Sequence, residues 1–382
     1  MSTAFKHIDL KLVSPSFDSS LMDALMELNH LRKLRLGGTT SPHLFFQLKN
    51  IFHLLESVGS ARIEGNRTTI SEYIEQKIER KEHETESFSE IANVEQAMQY
   101  IEKEISEGSE ITHHFIRELH QLAVVGLEEE GDKTPGAYRT WSVKIAKSKH
   151  LPPQPETVQS YMDEWVEFIN RKNDIKYDLI KIAIAHHRFA WVHPFGNGNG
   201  RVVRLLTYAL LIKYGFRVKD GQLINPTAVF CNNREKYYSM LSTADEGTDA
   251  SMLEWCDYVL TGICDEISKV NKLLDHEYLL GRVLKPAIAM GRDRGLVNRE
   301  EETVLKMGVE KQHFKSSDIA EVLPMLSPRQ RTHMLSKLKK SGMISPLAKG
   351  AREYFVVFHN NFLMRSLIRI LEAESFIPPI DE

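Results

Sequence analysis

Cysteine is scarce in these 382 residues: Cys231, Cys256 and Cys264 are the only three, unevenly spaced and without histidines at zinc-site intervals. That argues against a disulfide scaffold and against structural zinc, and a reducing, cytoplasmic setting is the expectation. No apolar run reaches bilayer-spanning length, and Met1-Ser2-Thr3-Ala4-Phe5-Lys6-His7 lacks the charged and apolar regions of a secretion signal, so no membrane partner is expected. An excess of one charge is missing too. The formal net charge is −3 with 26% charged residues, which gives no global attraction to nucleic acid or acidic lipid. Repeats and low-complexity tracts are also lacking, and the length suffices for two or three units, each with its own core.

The chemistry is concentrated in one stretch, His193-Pro194-Phe195-Gly196-Asn197-Gly198-Asn199-Gly200-Arg201-Val202-Val203-Arg204. Alternating glycines run into a largely apolar segment, Val202 to Ile212, broken mainly by Arg204 and Thr207. This predicts a tight loop opening into a buried helix, whose unpaired N–H groups and positive dipole end could hold an anion. Arg201 and Arg204, three apart, share roughly one face, where guanidinium forks suit phosphate oxygens. His193 at the other end of the loop is the side chain best suited to take a proton near neutral pH. Gly-Asn-Gly also makes ordinary turns, so spacing alone leaves a structural and a catalytic reading open.

The stretch closely resembles the signature of the Fic family, H-x-F-x-[D/E]-G-N-G-R-x-x-R. His193, Phe195, Gly198, Asn199, Gly200, Arg201 and Arg204 match it, while the acidic position holds Asn197. The resemblance implies a mainly α fold: a helical core with a short β-hairpin flap. It also implies transfer of AMP from ATP to a Tyr, Thr or Ser hydroxyl of a target protein. His193 is then the catalytic base. Gly198, Asn199 and Gly200 would hold phosphate oxygens through backbone N–H groups, joined by the Asn199 side chain; Arg201 and Arg204 would hold the β- and γ-phosphates. Phe195 reads as a core anchor for the loop. In the family the acidic residue binds Mg²⁺, so Asn197 puts that metal site in doubt: an amide offers a dipole where a carboxylate offers charge.

Further matches follow from the resemblance. Ser60-Ala61-Arg62-Ile63-Glu64-Gly65 is similar to the family's inhibitory motif [S/T]-x-x-x-E-[G/N], in which a glutamate pairs with the second arginine of the signature; here that is Glu64 with Arg204. Pro135-Gly136-Ala137-Tyr138-Arg139 is similar to the start of the flap, and Val143, Lys144, Ile145 and Ala146 would border the nucleotide. Arg234 to Leu241 is similar to a segment whose tyrosines, here Tyr237 and Tyr238, approach the base. A homodimer is within what the family allows. His186 and His187 are not read as a metal site, because neighbours on a helix point about 100° apart.

The remaining chain reads as helices. Ser41-Pro42 begins one with Leu44, Phe45, Leu48, Ile51, Phe52 and Leu55 at helical spacing, stopped by Gly65-Asn66. The segment Trp141 to Ala146 alternates like a strand. We divide the chain into an N-terminal helical region with the inhibitory helix over 1–110, a Fic core over 111–284, a linker near 285–298, a winged-helix domain over 299–358, and a tail over 359–382 carrying one last helix. Residues 313–358 hold eight lysines or arginines against three acids, an excess that allows DNA as a partner. Two rivals to AMP transfer therefore stand: a nucleotide sensor joined to a DNA-binding winged helix, and removal of AMP with Glu64 positioning water.

Overall fold

The computed structural model describes residues 5–33, 39–79, 85–145, 148–217, 226–359 and 361–377. Two compact units divide the chain. One comprises residues 1–35, 56–68 and 84–268; the other comprises 36–55, 69–83 and 269–382.

The first unit is helical. It contains α1 (Ser20–Leu31), the end of α2 (Pro42–Glu64), α4 (Glu86–Glu104), α5 (His113–Val124), α6 (Pro155–Asn170), α7 (Asp178–Val192), α8 (Asn199–Lys213), α9 (Thr227–Cys231), α10 (Arg234–Ala244) and most of α11 (Asp249–Asn271). Nearly every residue of α7 and α8 is buried, as expected of helices apolar on all sides. They pack on each other; α4 and α5 cover α8, while α1 and α6 cover α7. Two buried tryptophans lock α7 from its neighbours, Trp165 donating to the Ala185 carbonyl at 2.8 Å and Trp255 to that of Ala183 at 2.7 Å. Local chemistry sets the ends: the Thr112 hydroxyl accepts from Phe115 N–H to cap α5, and α2 stops at Glu64 with Gly65 beyond it.

The second unit contains the first part of α2, α3 (Ile70–Glu79), α12 (His276–Tyr278), a π-helical stretch Leu279–Leu284, α13 (Lys285–Asp293), α14 (Arg299–Lys311), α15 (Ser316–Val322), α16 (Pro328–Lys340) and α17 (Leu363–Ala373). Three short strands, β1 (Phe314–Lys315), β2 (Ile344–Pro346) and β3 (Glu353–Val356), form an antiparallel sheet in the order β1-β3-β2. The Gln47 amide fastens α2 to this sheet's end, donating to the Val356 carbonyl at 3.0 Å and accepting from Phe358 N–H at 2.7 Å.

Two expectations change here. The linker near 285–298 is largely the helix α13, because Pro286 occupies its first turn, where a missing N–H costs nothing. The strand-like alternation over 141–146 forms no ladder among the described residues, and Trp141 to Ile145 run as irregular, partly exposed chain. A two-stranded ribbon with no third strand to pair with is marginal in water. The tail does carry a helix, α17, packed on α13. No helix among the described residues is long and apolar enough to cross a membrane.

Candidate functional site

His193 caps α7 in the left-handed region, with φ 51° and ψ 60°. A β-carbon there costs roughly 1–2 kcal/mol, so the position needs outside support. Buried Arg139 supplies it: Nε donates to the His193 carbonyl at 2.8 Å, Nη2 to that of Val192 at 3.3 Å, and the Arg139 N–H to that of Pro194 at 2.8 Å. The imidazole Nδ1 faces the Ala190 carbonyl at 3.3 Å, which favours the tautomer that leaves Nε2 with its lone pair. Burial pushes the His193 pKa down to about 4, with the Arg139 charge acting the same way. At neutral pH the ring is an uncharged base.

The loop that follows is stitched internally. Both ends of the Asn199 side-chain amide are spent on Phe195, Oδ1 accepting from its N–H and Nδ2 donating to its carbonyl, each at 2.9 Å. The Phe195 ring is fully buried and stacks on His120 with centroids 3.7 Å apart, which makes it an anchor. Asn197 folds back so that Oδ1 accepts from Gly198 N–H at 2.7 Å. This narrows the expected cradle: Gly198 N–H and the Asn199 side chain are already engaged. The donors left are the first N–H groups of α8, on Asn199, Gly200 and Arg201, which have no intrahelical partner.

Glu64 sits on that helix start. A β-carbon added to Gly200 would stand 2.1 Å from Glu64 Oε1, so glycine alone permits the approach. Arg204, buried, donates from Nη2 to Glu64 Oε1 at 2.6 Å and to the Ser60 carbonyl at 3.0 Å, and from Nε to Ser60 Oγ at 2.9 Å. The first and fifth residues of the Ser60–Gly65 motif thus grip one guanidinium. Burial pushes the Glu64 carboxyl up, but the charge and hydrogen bond of Arg204, with Arg201 and Arg234 further off, hold it below the ordinary value.

Other sequence-predicted residues are placed differently. Arg201 points into the scaffold: Nη1 lies 3.2 Å from Glu90 Oε1, and Nη2 donates to the Glu130 carbonyl at 2.6 Å. Burial raises the Glu90 pKa against the pull of Arg201. Tyr237 is a core residue whose hydroxyl meets His186 Nε2 at 2.8 Å, and His186 Nδ1 meets Thr207 Oγ1 at 2.7 Å. His187 pairs with Asp245 at 2.9 Å, so the two histidines are spent separately. Tyr238 is exposed; it receives a hydrogen bond from Arg234 Nε at 3.3 Å and donates to the Ile63 carbonyl at 3.4 Å, near the end of α2. Val143, Lys144 and Ile145 have no hydrogen bond to the signature loop among the described residues, and Ala146 lies outside those residues. Sequence reasoning missed His120 and Asp132, which no local pattern marks, and read Arg139 only as part of the flap start; all three hold the loop, through partners 54 to 77 positions away.

A magnesium ion held by position 197 does not fit these residues. The Asn197 side-chain Oδ1 already accepts from Gly198 N–H, its Nδ2 donates to the Gly131 carbonyl at 3.1 Å, and no carboxylate stands at that position. No group of three or more His, Cys, Asp or Glu among the described residues is arranged to hold a metal.

Comparison with known proteins agrees with the fold and the loop. A family model, the Fic/DOC family, matches residues 110–211. The chain is 29% identical over 193 residues to the protein adenylyltransferase Fic of Nematostella vectensis, covering 49% of this chain and 42% of that protein. It is 30% identical over 200 residues to the protein of the same name from Drosophila virilis, covering 51% and 38%. The chain therefore spans less than half the length of these relatives. Among solved structures, a Fic family protein from Desulfovibrio desulfuricans superposes with a TM-score of 0.57 at 17% identity, covering 92% of this chain and 98% of that one. Fic-1 of C. elegans gives 0.52 at 20% identity, covering 66% and 73%. At such identities the likeness shows the fold alone.

Proposed function

We propose that this chain, whose residues 110–211 match the Fic/DOC family model, is a protein adenylyltransferase that Glu64 holds in an inhibited state. The observation that carries this reading is the Glu64 carboxylate held by Arg204 against Gly200, an anion of the protein's own at the start of α8, in the same loop-and-helix segment as a neutral histidine. With Glu64 withdrawn, the start of α8 and Arg204 receive the phosphates of ATP. A target hydroxyl gives its proton to His193 Nε2 as its oxygen attacks the α-phosphorus. The bond from that phosphorus to the bridging oxygen breaks, and pyrophosphate leaves. Arg201 acts as an anchor for α8 rather than as a phosphate ligand. Magnesium that accompanies ATP is bound through the phosphates and not through position 197.

The test is labelling with ATP radioactive at the α-phosphate, comparing wild type, Glu64→Gly, and Glu64→Gly with His193→Ala. Label on the enzyme or on lysate proteins should rise with the first change and vanish with the second. No label in any form would move the reading to a nucleotide sensor.

A second reading concerns residues 299–358, for which we propose a winged helix that contacts DNA. Its support is the order helix, strand, helix, helix, strand, strand, together with exposed Arg329, Lys339 and Lys340 on α16 and Lys349 and Arg352 on the β2–β3 turn. Phosphate contacts from these side chains predict binding to duplex DNA that weakens steeply with salt. Fluorescence anisotropy with a labelled duplex tests it, and no binding at low salt leaves a protein-contact module.

A further inference from the structure

We infer that Asp132 carries, as a buried clamp outside the signature loop, the negative charge that the signature places at position 197, and that it acts as a positioning residue rather than a metal ligand. The idea concerns loop geometry and stands whether or not AMP is transferred.

Asp132 lies in the connection after α5, and its side chain is 1% exposed. Oδ2 accepts from Asn197 N–H at 2.8 Å, and Oδ1 accepts from Thr134 N–H at 2.9 Å and from its hydroxyl at 3.3 Å. Both oxygens face Gly196, whose missing β-carbon would stand 2.9 and 3.2 Å from them. His120 completes the clamp. Its Nδ1 accepts from Gly136 N–H at 2.9 Å, so the proton resides on Nε2, which donates to the Asn197 carbonyl at 3.1 Å and lies 3.5 Å from Asp132 Oδ2. The N–H of residue 197 is thus held by one buried ionisable side chain, and its C=O by another. Burial pushes the Asp132 carboxyl up, yet His120 and the N–H groups of Thr134 and Asn197 hold it far below the ordinary range, so the clamp is charged.

This arrangement explains the amide at 197. Nδ2 donates to the Gly131 carbonyl, which a carboxylate cannot do. An aspartate there would set oxygen against oxygen at Gly131 and add a second negative charge beside Asp132, where two carboxylates cannot both ionise cheaply. Asp132 itself cannot serve a metal on a bound nucleotide, because it is closed off from solvent and its oxygens are already occupied.

The experiment is thermal unfolding of the full chain as wild type, Asn197→Asp, Asp132→Asn and the double variant, at pH 7.5 and 4.5, with and without Mg²⁺. Asn197→Asp should unfold roughly 2–6 °C below wild type at pH 7.5. The gap should narrow at pH 4.5, because the raised pKa of the new carboxyl lets it take a proton there. The loss in the double variant should be smaller than the sum of the two single-variant losses, and Mg²⁺ should raise the unfolding temperature of that variant and not of wild type. Asn197→Asp as stable as wild type at pH 7.5, strictly additive losses, or a Mg²⁺ rise in wild type at least as large as in the double variant would each overturn the inference.

Discussion

Arg204 Nη2 and Glu64 Oε1 meet at 2.6 Å over the start of α8, joining residues 140 positions apart. The guanidinium is 2% exposed and the carboxylate 27%, so the pair is screened far less than a surface bridge. Removing either partner leaves charge uncompensated.

Glu64→Gly should therefore raise transfer to a target by at least about tenfold while lowering stability by roughly 2 kcal/mol, the cost of stranding a buried charged donor. Label incorporation and urea unfolding on the same preparations check both. Glu64→Gln, which keeps the shape and removes the charge, should fall between wild type and Glu64→Gly in each measurement.

Gly200→Ala separates the glutamate from the site it covers. The new methyl would stand 2.1 Å from Glu64 Oε1, so it should lower the unfolding temperature in the wild-type background. In Glu64→Gly that penalty should disappear, while nucleotide affinity, read by calorimetry, should still drop because a phosphate needs the same space. An equal penalty in both backgrounds would mean that the carboxylate does not rest on this glycine.

The pH profile of Glu64→Gly should be flat from pH 8 to pH 6. His193 has a folded pKa of about 4, depressed chiefly by burial, so it is deprotonated throughout that range. As pH falls through that value the ring takes a proton and ceases to act as a base, and the rate should fall about tenfold per pH unit. A fall centred near the ordinary histidine value instead would show that the ring is solvated when transfer occurs.

Arg201 and Arg204 should fail differently. Arg201→Met breaks contacts to Glu90 and Glu130 in the core and should cost roughly 3 kcal/mol or more in stability, since it strands buried Glu90. Arg204→Met also removes the proposed phosphate contact, so in the Glu64→Gly background it should abolish nucleotide binding with little further loss of stability. Calorimetry and thermal unfolding on both variants distinguish the roles.

Much of the scaffold was legible in the chain because its signals are local. Apolar spacing marked the helices, Ser41-Pro42 marked the start of α2, and the spacing from His193 to Arg204 marked the loop and the helix after it. Pairing Glu64 with Arg204 required the resemblance as well, since nothing within either segment points to the other. The alternation misled over 141–145, the described part of its segment, for the converse reason: a strand pattern describes a preference, and a ladder needs a partner.

The order of residues alone dictates a glycine-rich turn opening a buried helix, with a histidine before it and two arginines after it at a spacing of three. Packing of distant segments selects which arginine faces Glu64 and which is buried against Glu90, which loop N–H groups stay open, and the grip of Asp132 and His120 on residue 197. Hydrogen bonds and ion pairs choose among donors by distance and angle, and those are fixed when separate helices pack, not by the order of residues along any one of them.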